Sequence, residues 1–462
     1  MVTPADFAQR RARFLSSMGP GVALFAATPV AIRNNDVEHE FRQDSDLYYL
    51  SGFDEPESVL LLSNDHPDQR MVLFVRPRDP ERETWDGPRA GVDGAKALFG
   101  ADAAFPIAEL SQRLPDYLKD VHRLHYRLGE DRDFDDRVLG AIHEVRGKAR
   151  AGVTAPREIV DPSTIVHELR LRKSEPEIET MLRACAITRE AHLRAMQVAR
   201  PGRYEYEVEA ELLRVFRAHG CERPAYGSIV GSGPNATILH HRKNDRLMQD
   251  GDLLLIDAGA EYGYYAADVT RTFPVNGRFS EAQRTLYQIV LDAQLAAIDA
   301  VRPGTTLPEV HDVALRILVE GLVRVGMLEG PADAAIKAET YKPYYMHRTS
   351  HWLGMDVHDV GDYFVRVPAE QPAPTGSAPA RQAPASPGAT KKPRPLEPGF
   401  VLTIEPGLYV PPGAKCDPKW HGIGIRIEDD VLVTPTGHRV LTEGIPKAVA
   451  EVEQILAQRP VG

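Results

Sequence analysis

Cysteine is scarce in this chain of 462 residues: Cys185, Cys221 and Cys416 are an odd number, widely spaced and without any CxxC. Neither a disulfide framework nor a thiolate metal site is indicated, and a reducing compartment, the cytoplasm, is the expected location. Long apolar runs are missing too. None approaches the roughly 18 residues that would span a bilayer, so no membrane partner is expected. There is no Lys/Arg block either: 55 basic against 66 acidic residues leave a net charge of -11, which argues against nucleic acid and favours a small or peptide partner. One stretch imitates an export signal, with Arg10, Arg11 and Arg13 ahead of "GVALFAATPVAI". The Met18-Gly19-Pro20-Gly21 break before the apolar run excludes that reading and leaves a surface helix followed by a buried strand.

What is present is enough apolar material, 43% of residues, for two or three domains. Residues 1–172 read as an α/β domain, with "VALFAAT", "SVLLLS" and "MVLFVR" as short β-rich runs bounded by turn formers. The pattern changes near Asp161-Pro162. A long helix follows in "SEPEIETMLRACAITREAHLRAMQVARPG", with Ser174 and Glu177 spaced as a capping box and Gly202 beyond its end. It opens a second domain, 173–462. Cys185 lies on its apolar stripe with Met181 and Leu182, where core packing is the expected role.

The second domain carries an internal duplication. "RPGRYEYEV" at 200–208 is echoed by "RPGTTLPEV" at 302–310, each opening a helix, and "GDLLLIDAG" at 251–259 is echoed by "GFVLTIEPG" at 399–407. A strand ending in an acid at the same place in each half would bring Asp257 and Glu405 face to face across a pseudo-twofold axis. Each is followed by a second acidic strand, "AADVTRTF" with Asp268 and "IGIRIEDDVLV" with Glu428. A Pro/Ala-rich insertion at 364–398 reads as a solvated or polyproline-type loop.

Alternation puts Asp268 and Thr270 on one strand face, and Arg426 and Glu428 on one face of theirs, so the side chains can share a cavity. Acids among Leu, Ile and Val cost several kcal/mol to bury unless paired or metal-bound. One isolated acid would be matched by an arginine such as Arg271 or Arg426. Four acids on duplicated strand pairs point instead to two divalent metal ions. The segment "HRTSHWLGMDVHDVG", 347–361, adds His347, His351 and His358, and "TILHHRKND" adds His240 and His241. One imidazole joining four carboxylates is an oxygen-dominated set suited to Mn(II) or Co(II), and the Glu of HExxH is absent.

With these motifs in hand, the chain resembles the aminopeptidase P branch of the pita-bread metallopeptidase family, nearly end to end. The first domain is similar through "RQDSDLYYLSGFDEPES" and "ERETWDG". The second resembles that family in order through "IVGSGPNATILHH", "LIDAGAEYGYYAADVTRTFPVNGRFS", "MHRTSHWLGMDVHDVG", "VLTIEPGLYV" and "GIGIRIEDDVLVT". The resemblance implies a creatinase-like α/β first domain and an α+β pita-bread catalytic domain. It implies Asp257, Asp268, His351, Glu405 and Glu428 as ligands of two ions, most simply Mn2+, with Asp268 and Glu428 spanning both. His240, His347 and His358 would line the peptide site, with Arg426 and Tyr409 in support. Trp85 resembles a residue that a neighbouring subunit contributes, which implies a homodimer or homotetramer.

The implied reaction releases an amino-terminal residue that precedes proline. Glu405 would carry the proton, and His358 or Glu405 would protonate the leaving nitrogen, with His347 beside them. Arg348 departs from the family's usual glycine, and the insertion lengthens the path from His358 to Glu405; both bear on subsite shape and leave the ligand set untouched. Prolidase, a dipeptidase with the same five ligands, is the alternative reading. Creatinase and a metal-free binding module are more remote.

Overall fold

The computed structural model describes residues 1–367 and 390–459. They divide into two compact units, Met1–Arg170 and Leu171–Gly462. The first is built on a six-stranded mixed sheet in the order Ala103–Pro106, Met71–Val75, Val59–Ser63, Val22–Ala26, Arg123–His125, Glu158–Val160. The two strands "VLLLS" and "MVLFV" are buried at every position, which is why they show no alternation: both faces are covered. Helix Arg132–Gly147 contributes Phe134, Val138, Ala141, Ile142 and Val145, a stripe at helical spacing that joins the sheet's core. Asp131 caps it, accepting the Phe134 N–H at 3.1 Å.

The second unit repeats one pattern twice. Helices Glu175–Val198 and Glu205–Ala218 are joined through Arg200-Pro201-Gly202. Helices Glu281–Ala300 and Leu307–Arg324 are joined through Arg302-Pro303-Gly304. Both glycines take the left-handed conformation, φ 83° and 88°, that a side chain would resist. The duplicated triplet is therefore the turn of a helical hairpin in each half. Ser174 precedes the first helix, and Glu177 reaches back to its N–H at 2.9 Å. Cys185 is buried as the apolar stripe requires, and its thiol lies 3.5 Å from the buried Asp430 carboxylate.

Each half then supplies an acid-tipped strand. Leu253–Asp257 pairs antiparallel with Thr270–Pro274, Asp257 standing opposite Thr270. Val401–Ile404 pairs antiparallel with Asp429–Thr434, Ile404 opposite Asp429. The halves meet where the Glu428 N–H donates to the Thr270 carbonyl at 3.1 Å. Asp268 and Glu428 stand just outside the ladders, Asp268 two residues before strand Thr270–Pro274 and Glu428 one residue before strand Asp429–Thr434, where the alternation argument had them inside strands. The Pro/Ala-rich segment departs from the expected loop at its edges, where Phe364–Val367 pairs antiparallel with Thr390–Pro393. Residues 368–389 of that segment lie outside the described residues.

Candidate active site

The four acids are gathered by backbone rather than by side-chain reach. Ala258 donates to the Val269 carbonyl and Ala267 to the Ala260 carbonyl, both at 3.0 Å, folding the segment after Asp257 onto the one that carries Asp268. Gly259 sits so tightly there that a Cβ would lie 1.7 Å from the Ala267 oxygen. Only glycine admits that approach. From the other half, Thr270 donates its hydroxyl to Glu428 Oε2 at 2.6 Å. Donor atoms of Asp268, His351 and Glu428 all lie within 4.8 Å of one another, and His351 Nε2 is 3.5 Å from both Asp268 Oδ2 and Glu405 Oε1.

His351 arrives from the histidine segment in a defined orientation. Its Nδ1 donates to the Trp352 carbonyl at 2.9 Å, which leaves Nε2 as the atom facing the carboxylates. Arg426 connects the remaining parts. It donates to Asp257 Oδ2 at 2.6 Å, to the Tyr409 hydroxyl at 2.9 Å and to Thr270 Oγ1 at 3.1 Å. Tyr409 OH in turn lies 2.9 Å from His347 Nε2. The His358 ring stands edge-on to His351, centroids 4.3 Å apart.

Electrostatics then test the donor set. Burial raises the Asp268 carboxyl, and the neighbouring Asp257 adds to the shift. Glu405 is pushed up to about 7 by burial, helped by Asp268 and Asp257, against His351 and Arg426. Glu428 rises well above the usual carboxylate range through burial and then the charges of Asp268, Glu405 and Asp257. For His351 burial works downward, yet Asp268 and Glu405 outweigh it and hold the imidazole at about 9. The protein thus packs more negative charge than Arg426 and His351 balance, and leaves one imidazole nitrogen pointing into it. Divalent cations fit such a set, and oxygen dominance favours hard or borderline ions.

Three imidazoles stand around this cluster, and two of them, His347 and His358, have a lowered affinity for protons. His347 falls to about 4 through burial and the Arg426 charge, and His358 falls through burial and His351. His240 depresses both, which locates it beside them. Of the residues expected from sequence, Asp257, Asp268, His351, Glu405, Glu428, His240, His347, His358, Arg426 and Tyr409 share this region. Trp85 belongs to the first unit, on the short helix Pro80–Asp86, and is 86% exposed.

Tyr226 was not anticipated. Its hydroxyl donates to Asp257 Oδ1 at 2.5 Å and also reaches Asp268 Oδ1, and burial among these carboxylates raises the phenol well above its ordinary value. A single tyrosine in the Gly-containing stretch "PAYGSIVG" has no periodicity or spacing that would mark it.

Comparison with known proteins agrees with this geometry. A sequence profile of metallopeptidase family M24 matches residues 179–435, and one of the aminopeptidase P N-terminal domain matches residues 7–125. The Xaa-Pro aminopeptidase of Escherichia coli K12 is 42% identical over 457 residues, 98% of each chain, and that of Haemophilus influenzae is 40% identical over 452 residues, 98% of this chain and 97% of the other. Among solved structures, aminopeptidase PepP of Pseudomonas aeruginosa superposes with a TM-score of 0.92 at 48% identity, covering 99% of this chain and 98% of its own. A variant of Escherichia coli aminopeptidase P in complex with substrate gives 0.90 at 42%, with 99% and 98% covered.

Proposed function

This chain belongs to metallopeptidase family M24 and is an Xaa-Pro aminopeptidase, releasing an amino-terminal residue that precedes proline; we propose that its ligands are Asp257, Asp268, His351, Glu405 and Glu428, holding two Mn2+ ions. The observation that carries the proposal is the convergence of Asp268, His351 and Glu428 donor atoms within 4.8 Å among carboxylates with too few protein cations. Asp257, Asp268, His351, Glu405 and Glu428 would hold the two ions between them, Asp268, His351 and Glu428 offering the donor atoms that lie closest together. Two such cations, when bound, make a shared water acidic and polarise the scissile carbonyl.

The chain's own residues supply the rest. Thr270 and Arg426 fix the Glu428 and Asp257 carboxylates by direct hydrogen bonds, so the ligand atoms are preorganised. Glu405, beside both His351 and His347, takes the proton of the attacking water and carries it towards the proline nitrogen. His358 is the second group able to protonate that nitrogen. His240, His347 and His358 line the peptide path, and the lowered proton affinity of His347 and His358 leaves those two rings neutral, able to accept or donate a hydrogen bond. A proline nitrogen offers no N–H, so recognition falls to the ring and the flanking carbonyls. Tyr409 and Arg426 hold His347 in place. Trp85 is assigned to the site of a neighbouring copy, which makes the working form a homodimer or homotetramer. Among the described residues no helix is long and apolar enough to cross a membrane.

The test is turnover of Xaa-Pro dipeptides and Xaa-Pro-Xaa tripeptides by protein loaded with Mn, Co or Zn, with metal content measured in parallel. Tripeptide cleavage at two ions per chain is expected. Activity on dipeptides alone would shift the assignment to prolidase.

A further inference from the structure

His241, the second histidine of "TILHHRKND", has no part in the reaction derived above, yet it is buried while its neighbour His240 is exposed. Its Nε2 lies 2.9 Å from Oε2 of Glu205, whose side chain is wholly buried at the first turn of helix Glu205–Ala218. That one carboxylate gathers donors from both ends of the segment that carries His240. Ser232 donates its N–H at 2.6 Å and its hydroxyl at 2.7 Å, Asn235 its amide at 3.1 Å, and Arg246 its N–H at 3.1 Å. A fully buried carboxylate is held here by donors of the loop itself, so its effect is to fix where that loop runs.

The far side of the loop is fixed from the catalytic cluster. Arg426 Nη2 donates to the Leu239 carbonyl at 3.5 Å, and Gly424 allows the Ala236 carbonyl so close that a Cβ would stand 2.0 Å from it. His240 therefore lies between a carbonyl tied to Arg426 and an imidazole tied to Glu205. We infer that Glu205, acting through His241, is a positioning pair that sets where the His240 imidazole meets the peptide, and so governs substrate affinity rather than the chemical step. The inference rests on His240 being a substrate residue, as assigned above.

Steady-state kinetics of Mn-loaded enzyme on an Xaa-Pro-Xaa tripeptide separates the alternatives. His240→Ala is expected to raise KM. His241→Ala is expected to raise KM about tenfold with kcat within about twofold of the parent. His241→Gln, whose amide nitrogen reaches the position of Nε2, is expected to return KM to near the parent value. The double variant His240→Ala/His241→Ala is expected to be no worse than His240→Ala alone, because a pair acting through one side chain is not additive. Glu205→Gln, which turns an amide NH2 towards the Arg246 and His241 donors, is expected to behave as His241→Ala.

If His240→Ala raises KM and His241→Ala leaves it unchanged, the inference is wrong and the assignment of His240 stands. If His240→Ala itself leaves KM unchanged, that assignment falls and the inference with it. An additive double variant, or a kcat loss in His241→Ala that His241→Gln does not repair, also overturns the positioning role.

Discussion

Glu428 and Asp429 are neighbours in sequence, both buried, and their carboxyls shift in opposite directions. Asp429 accepts from Arg271 at 2.7 Å, Lys447 at 2.6 Å, Gln294 at 2.8 Å and Thr442 at 2.7 Å. Burial alone would raise its carboxyl, but Arg271 and Lys447 hold it down at about 2. Glu428, facing the other way, meets Asp268, Glu405 and Asp257 and rises. The difference separates two uses of a buried acid. Where the protein supplies the counter-charge, the carboxylate is part of the frame; where it withholds it, the carboxylates are left for a cation from outside. Arg271 joins the two regions, since it also donates to the Glu428 and Thr270 carbonyls.

The strongest way to break this contrast is Asp268→Ala. Removing an acid from the uncompensated group is expected to abolish metal retention and lower tripeptide turnover about 10³-fold or more, read by elemental analysis and kinetics. Retained metal and turnover would void the ligand assignment. Asp429→Asn attacks the compensated group instead. It leaves buried Arg271 and half-buried Lys447 without their counter-charge and is expected to destabilise the fold by about 3–5 kcal/mol in denaturant titration, with metal content per folded molecule unchanged. Loss of metal comparable to Asp268→Ala would erase the distinction.

Chelation sharpens the contrast from the ligand side. Because a bound ion stabilises only the folded state, Mn2+ at about a hundred times the dissociation constant of each site is expected to add about 2.7 kcal/mol per ion, about 5.4 kcal/mol for two, to unfolding stability in the parent and in Asp429→Asn, and nothing in Asp268→Ala. The smallest effect extends the compensated class to the first unit. Asp46 pairs with Arg170 at 2.7 Å and His167 at 3.1 Å, and these outweigh burial to hold its carboxyl at about 2 against an ordinary 3.8. A depressed carboxyl stabilises the fold above its unfolded value and loses that contribution as pH falls through the folded one. Acid unfolding of the parent should therefore show a loss of about 2 kcal/mol between roughly pH 5 and pH 2 that Asp46→Asn lacks.

Much of this was legible in the sequence because it is local or repeated. The buried strands of the first unit announced themselves as apolar runs, and the duplicated "RPG" turns and acid-tipped strands gave the two halves and their pairing. Tyr226, Glu205 and the Arg271–Asp429–Lys447 group were not legible. Each works through a partner tens of residues or more away, and no pattern along the chain encodes such a contact. His241 was visible only as one of two adjacent histidines; its turn inward depends on a carboxylate 36 residues earlier. The Pro/Ala-rich segment misled at its borders, since "FVRV" and "TKKP" become strands by pairing with each other, a cross-strand effect that composition does not carry.

That short ladder has a consequence for engineering. With Val367 opposite Thr390, the chain departs and returns at points about one strand spacing apart, so anything spliced between them begins and ends at the same two points. An affinity tag spliced between Val367 and Thr390 is therefore expected to leave tripeptide turnover near the parent value, which makes the ladder a natural attachment point.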